Sequence, residues 1–284
     1  MNLINEKYLG TENREALIDL EIPTNFNQNI IVFIHGYMGF KDWGPWSLMQ
    51  SYFVKRGFGF CKFNLTHNGT TPEHPIDFVD LEAFGNNCYT YEKNDLLCAL
   101  DWLKEKIDVS VCTLHLLGHS RGGGIALLCA QDQRISSVIT LASISSIEKR
   151  FDFEKETIKK WKKTGTRYVR NGRTNQDLPH NFSQYLDFQK NKKTLSIQTM
   201  CKSISKPLLF IHGVEDESIS IEEGKDLSRW SKNQLVKISG ASHTFGGFHP
   251  YRSKTLPPHL KECCILITEF IKKQQLEKVN LTGN

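Results

Sequence analysis

Short apolar runs recur along the chain and divide it into segments. Residues 30–34 (IIVFI), 58–65 (FGFCKFNL), 112–117, 137–141 and 207–211 (PLLFI) are rich in β-branched and aromatic side chains and show no in-out alternation. Runs of this kind suit strands covered on both faces, as in a parallel sheet. Between them, apolar residues fall at helical spacing over 46–55, 86–106, 125–130, 221–230 and 258–273; Leu96, Leu97, Leu100 and Leu103 share one side of the second of these. Residues 15–22 alternate and predict an early strand ended by Pro23, and 235–238 predict a last one. The stretch 66–84 is rich in turn formers and reads as a loop, and the tail from Leu276 reads as frayed.

Strands alternating with helices argue for an α/β fold with a mainly parallel sheet and helices on both faces. The rhythm breaks between residues 143 and 206, where the apolar strand signal disappears. That interval is expected to be a helical cap inserted over the carboxyl ends of the strands, where ligands bind in such sheets. Residues 1–142 and 207–284 would then form the core.

One stretch, LHLLGHSRGGGIALL at 114–128, joins a strand to a helix through a very tight turn. The turn is Gly118-His119-Ser120-Arg121-Gly122, a G-x-S-x-G sequence. Between a strand and a helix this pattern predicts a nucleophile elbow, with the serine in strained backbone and its Oγ exposed to substrate. A serine hydroxyl needs a base to take its proton, and the base needs an acid to orient it. For the base, His243 stands just after the last predicted strand; His249, six residues on, is its competitor. For the acid, the spacing of His212-Gly213-Val214-Glu215-Asp216 selects Asp216 over the flanking Glu215 and Glu217. The backbone N–H of Arg121 would supply one oxyanion donor, and the turn His35-Gly36-Tyr37-Met38-Gly39 the second, from Tyr37 or else Met38.

The motifs HGYMG at 35–39, GHSRGG at 118–123, HGVED at 212–216 and GASHTF at 240–245 resemble, in order and spacing, those of the α/β-hydrolases of the esterase/lipase and acylaminoacyl-peptidase-like group. The resemblance covers about residues 16–273. It implies an α/β-hydrolase fold and a serine hydrolase with the order Ser120, Asp216, His243. The sequence departs from that pattern in extra residues between His243 and the last helix, which carry His249. Carboxylic esters are the expected substrates, with thioesters and small peptides as alternatives and a non-catalytic binding protein on the same fold as a different class of reading. A serine at the elbow argues against aspartate-nucleophile dehalogenases and epoxide hydrolases.

Composition narrows the partners. The net charge of +5 is too mild to argue for nucleic acid, and no apolar run approaches the length of a membrane span. Eight cysteines are scattered without C-x-x-C or zinc-like spacing, so reduced, mostly buried thiols and no metal are expected, and no organic cofactor is implied. The amino terminus has no charged-then-apolar leader pattern, so a cytoplasmic location is expected. The charge is uneven: ten Lys and Arg lie between residues 149 and 173 against three acids, Asp152, Glu154 and Glu156. Such a stretch is either a solvated helix face or a lure for an anionic acyl substrate, with Lys162, Lys163 and Arg167 as its test positions. Trp161 and Tyr185, among the aromatics of the same interval, are candidates for a substrate pocket, as are Met38 in the oxyanion turn and His67.

Overall fold

The computed structural model of the chain describes residues 1–282. An eight-stranded sheet forms its centre, built from β1 (Asn2–Leu9), β2 (Glu15–Glu21), β3 (Asn29–Ile34), β4 (Gly59–Phe63), β5 (Thr113–His119), β6 (Ile135–Leu141), β9 (Leu208–Gly213) and β10 (Gln234–Ile238). Their order is β1-β2-β4-β3-β5-β6-β9-β10. From β4 to β10 every pairing is parallel, while β1 and β2 are antiparallel additions at one edge.

The unalternating apolar runs are explained by helices on both faces. Along β3, Ile30, Val32 and Ile34 enter one core and Ile31 and Phe33 the other. Along β9, Leu208 and Phe210 face the first core and Leu209 and Ile211 the second. Successive strand side chains point to opposite faces, so a doubly covered strand needs apolar residues at every position. The first core is closed by α3 (Tyr89–Lys106) through Leu96, Leu100 and Leu103, by α4 (Arg121–Leu128) through Ile125 and Leu128, and by α8 (Ile221–Ser231) through Leu227. The second is closed by α1 (Trp46–Val54) through Met49 and Phe53 and by α9 (Pro258–Thr282) through Leu260, Cys264 and Ile267. All eight cysteines are free thiols, six of them buried.

Several local expectations are corrected. The helix expected over 86–106 is α3 and starts at Tyr89, and a separate short helix, α2 (Leu81–Asn86), precedes it across non-helical backbone at Asn87 and Cys88. Asp80 caps α2 by accepting the Ala83 N–H at 2.9 Å, which places a helix start inside the expected loop. α9 runs through Thr282, so helix replaces most of the expected frayed tail; Gly283 and Asn284 lie outside the described residues. β1 carried no apolar signal because it is an edge strand in which only Tyr8 is buried.

The interval between β6 and β9 is not purely helical. It holds α5 (Lys155–Thr164), an antiparallel hairpin of β7 (Thr166–Arg170) and β8 (Asp177–Asn181), then α6 (Ser183–Asn191) and α7 (Ile197–Ser203). Leu178 of β8 packs with Phe40, Phe78 and Phe84 in a small separate core, which ties the hairpin to the loops that follow β3 and β4. Among the described residues no helix is long and apolar enough to cross a membrane.

Candidate active site

Ser120 ends the turn between β5 and α4 with φ 56° and ψ −120°, a conformation L residues rarely adopt. Its glycine neighbours allow the crossing of strand and helix. A Cβ on Gly118 would sit 2.3 Å from the Gly122 carbonyl oxygen, and one on Gly122 would sit 2.4 Å from the carbonyl oxygens of Ile34 and His35. The strained residue is anchored by its own backbone, since the Ser120 N–H donates to the Leu141 carbonyl at 2.8 Å.

Parallel neighbours deliver the other two groups to the same end of the sheet. The loop after β10 carries His243, whose Nε2 lies 3.0 Å from Ser120 Oγ. The loop after β9 carries Asp216, whose Oδ2 accepts from His243 Nδ1–H at 2.9 Å. The buried Asp216 carboxylate also accepts the Ser218 and Ile219 N–H groups on Oδ1, at 2.9 and 2.7 Å, and lies 3.1 Å from His212 Nε2. Burial alone would raise its pKa; the donors from His212, His243 and Ile219 outweigh burial and hold it well below the usual carboxylate range. An ionised Asp216 fixes the proton of His243 on Nδ1 and leaves Nε2 as the acceptor for the Ser120 hydroxyl.

Two further histidines brace these loops. His119 Nε2–H donates to the His243 carbonyl at 3.0 Å, and burial lowers its pKa to about 3. His35 Nδ1–H donates to the Gly36 carbonyl at 2.9 Å while its Nε2 accepts the Leu65 N–H at 3.2 Å; burial lowers it to about 4. Both rings are therefore neutral near pH 7. Among the described residues, no protein acceptor takes the backbone N–H of Tyr37, Met38 or Arg121. These are the amides expected to hold an oxyanion.

Ser120 and His243 lie between two cavities. The larger, about 430 Å³, is lined by Tyr37, Tyr89, Arg121, Phe151, Arg167, His180 and Gln184 among others. The smaller, about 230 Å³, is lined by the 36–39 turn, Trp43, Trp46, Asn171 and Arg173. In the larger one Tyr37 Oη–H donates to His180 Nε2 at 2.8 Å, and Arg121 pairs with the buried Glu92 at 2.7 Å while lying 3.8 Å over the Tyr89 ring. Arg150 is likewise paired, with Glu223.

A family model described as the alpha/beta hydrolase fold matches residues 29–181, more than half of the chain. The chain belongs to the α/β-hydrolase fold family. No curated protein sequence matches it significantly. Among solved structures, this α/β-hydrolase is similar to Est1E from Butyrivibrio proteoclasticus, at 19% identity and a TM-score of 0.71 over 95% of this chain and 98% of that one. A second Est1E structure, with ferulic acid bound, gives 21% identity and 0.68 over 96% and 99%. Alpha/beta hydrolase domain-containing protein 10 from mouse gives 16% and 0.69 over 95% and 98%.

The structure of this α/β-hydrolase brings together Ser120, Asp216, His243, Tyr37, Met38 and Arg121, and it separates the other candidates from them. His249 accepts the Gly44 N–H at 3.0 Å and stacks on Trp43, away from Ser120. His67 lines neither cavity; it is buried against Tyr91, Thr66 and Glu12. Trp161 and Tyr185 also line neither, because they pack with Phe151 and Phe182 behind the cavity wall. Lys162 and Lys163 are exposed on α5, and of these three cations Arg167 alone lines a cavity. His180, Gln184 and Asn171 are not singled out by the sequence, since they come from a hairpin and a short helix that carry no motif, and Arg173 enters it only as the last cation of the basic stretch 149–173.

Proposed function

We propose that this protein is a serine hydrolase that cleaves carboxylic esters through an acyl-enzyme on Ser120. The observation that carries the reading is the unbroken chain from Ser120 Oγ to His243 Nε2 at 3.0 Å and from His243 Nδ1 to Asp216 at 2.9 Å. In the first half-reaction Oγ attacks the ester carbonyl carbon as His243 takes its proton. Asp216 stabilises the imidazolium, and the amides of Tyr37 and Arg121 receive the oxyanion, each donor contributing about 3 kcal/mol to the transition state. The tetrahedral intermediate collapses as His243 returns the proton to the departing alcohol. Water then repeats the sequence on the acyl-enzyme and releases the acid.

Residues 143–206 act in this reading as a cap on a core of 1–142 and 207–284. The aromatic faces of Tyr37, Tyr89 and Phe151 and a volume of about 430 Å³ suit a compact acyl or aryl group. The ferulic acid held by Est1E is of that class.

The decisive experiment is labelling by a fluorophosphonate, followed by turnover of a panel of esters, thioesters and aminoacyl amides. Wild-type protein is expected to label at Ser120 and to turn over esters fastest. Ser120→Ala is expected to lose both labelling and turnover. Labelling that persists in Ser120→Ala would overturn the assignment.

A further inference from the structure

The turn of the β7–β8 hairpin holds three buried side-chain groups without a partner in the protein, on Asn171, Arg173 and Thr174, and the first two of these residues line the smaller cavity. Asn171 is 4% exposed, and three bonds fix it: its N–H donates to the Gln176 carbonyl at 2.8 Å, its carbonyl accepts the Asn175 N–H at 2.8 Å, and its Oδ1 accepts the Arg173 N–H at 3.0 Å. The free end of that side chain, Nδ2, is buried with no hydrogen-bond partner in the protein. Arg173 lies over the rings of Phe40 and Phe78 at 5.6 and 5.5 Å, and its Nη2 is also buried without a partner. Among the described residues no carboxylate comes within 4 Å of it; Asp77 acts on it only from farther away.

Buried donors are almost always paired; the Arg173 guanidinium is only partly buried, yet its Nη2 is shut off from water with no acceptor in the protein. In the larger cavity Arg121 and Arg150 pair with Glu92 and Glu223, whereas Arg167 lies over Phe153 and Trp161 and, like Arg150, keeps a buried Nε without an acceptor, which makes Arg167 the control for Arg173. Asn171 and Arg173 both line the smaller cavity, and so do Ser120 and His243. A two-oxygen anion satisfies one amide donor and one guanidinium donor together, and the charge-assisted bonds it forms are the strong ones. We propose that Asn171 and Arg173 form a carboxylate-binding subsite, so that the preferred substrates are esters bearing a carboxylate on the portion that lies in the smaller cavity. The proposal rests on the serine hydrolase reading of Ser120 and names the substrate class for it.

The test compares two matched pairs of esters: 4-acetoxybenzoate with its methyl ester, and the 4-nitrophenyl monoester of glutarate with 4-nitrophenyl hexanoate. The first pair places the carboxylate on the alcohol side and the second on the acyl side. In one pair the ratio of kcat/KM for the anionic over the neutral ester is expected to fall about tenfold or more in Arg173→Gln, and by less in Arg173→Lys. Asn171→Asp keeps the acceptor for the Arg173 N–H but replaces Nδ2 with an anionic oxygen, and is expected to lower the same ratio at least as far. On Ser120→Ala protein, calorimetry should show 4-acetoxybenzoate or the glutarate monoester binding about tenfold more weakly when Arg173→Gln is added. Ratios within about twofold of wild type in both variants and both pairs would overturn the subsite, as would a fall confined to Arg167→Gln. If Ser120-dependent hydrolysis persists in that case, only the subsite fails. Absence of fluorophosphonate labelling sinks the hydrolase reading alone and leaves the calorimetry to judge the subsite.

Discussion

His243 and His249 stand six residues apart in one loop, and their neighbours separate them completely. His243 has an acid on one ring nitrogen and a serine hydroxyl on the other. His249 uses Nδ1 to accept the Gly44 N–H and gives its faces and edges to Trp43 and Phe40, a structural job. His243→Ala is therefore expected to lower kcat by about 10⁴- to 10⁶-fold, and Asp216→Asn by about 10⁴-fold through the wrong tautomer, while His249→Ala keeps ester turnover measurable in the same assay. Full activity in His243→Ala would discard the proposed base. Ser120, Asp216 and His243 were legible in the sequence because each is fixed by a strand end and a short motif. His67, Trp161 and Tyr185 line neither cavity, and residue type alone cannot tell a pocket wall from the packing one layer behind it. Asn171 leaves no trace in the sequence and Arg173 shows there only as the last of the ten cations of 149–173, since what singles them out is a missing partner, a property that exists only in three dimensions.

Among the elements, the elbow depends on how closely α4 approaches the end of β3. Gly122 faces the Ile34 and His35 carbonyls with no room for a side chain. In Gly122→Ala the first turn of α4 must move outward, carrying with it the Arg121 N–H and Ser120. Overpacking of this kind costs about 1–3 kcal/mol, readable as a shift in the urea midpoint, and activity is expected to fall far more than the stability loss explains. A variant of unchanged stability and activity would show that the crossing has slack. The same scale explains which elements the sequence revealed. Strands with helices on both faces announce themselves by continuous apolar runs. β7, with Thr166, Arg167, Tyr168, Val169 and Arg170, and β8, with Pro179, form a two-stranded ribbon that has no second sheet face to bury. Pro179 is tolerated because such a ribbon has an unpaired side. Their pattern therefore lacks the signal by which a strand is recognised.

At the scale of the molecule, the loops around Ser120 are held together by histidines that must stay neutral. His35 ties the end of β3 to the loop after β4, His119 ties the elbow to the His243 loop, and His180 ties the hairpin to Tyr37. His180 Nδ1–H donates to Gln184 Oε1 at 3.2 Å, so Nε2 is left to accept from Tyr37, and burial lowers the ring to about 4. With His35 also near 4 and His119 near 3, against an ordinary value of 6.5, the unfolded chain binds protons more readily than the folded one. Their contribution to stability is thus complete above pH 6.5 and declines as pH falls toward 4, at a limiting slope of about 1.4 kcal/mol per pH unit for each ring. The urea midpoint is expected to drop steeply between pH 6 and pH 4.5 for this reason. His180→Gln removes one titrating ring but leaves an amide within reach of Tyr37 Oη. It should therefore reduce the slope by about 1.4 kcal/mol per pH unit, whatever it does to stability at pH 7. An unchanged slope would mean that the β7–β8 hairpin packs independently of the charge on His180. The hairpin that carries Asn171 and Arg173 would then be held to the core by Leu178 and its aromatic neighbours alone.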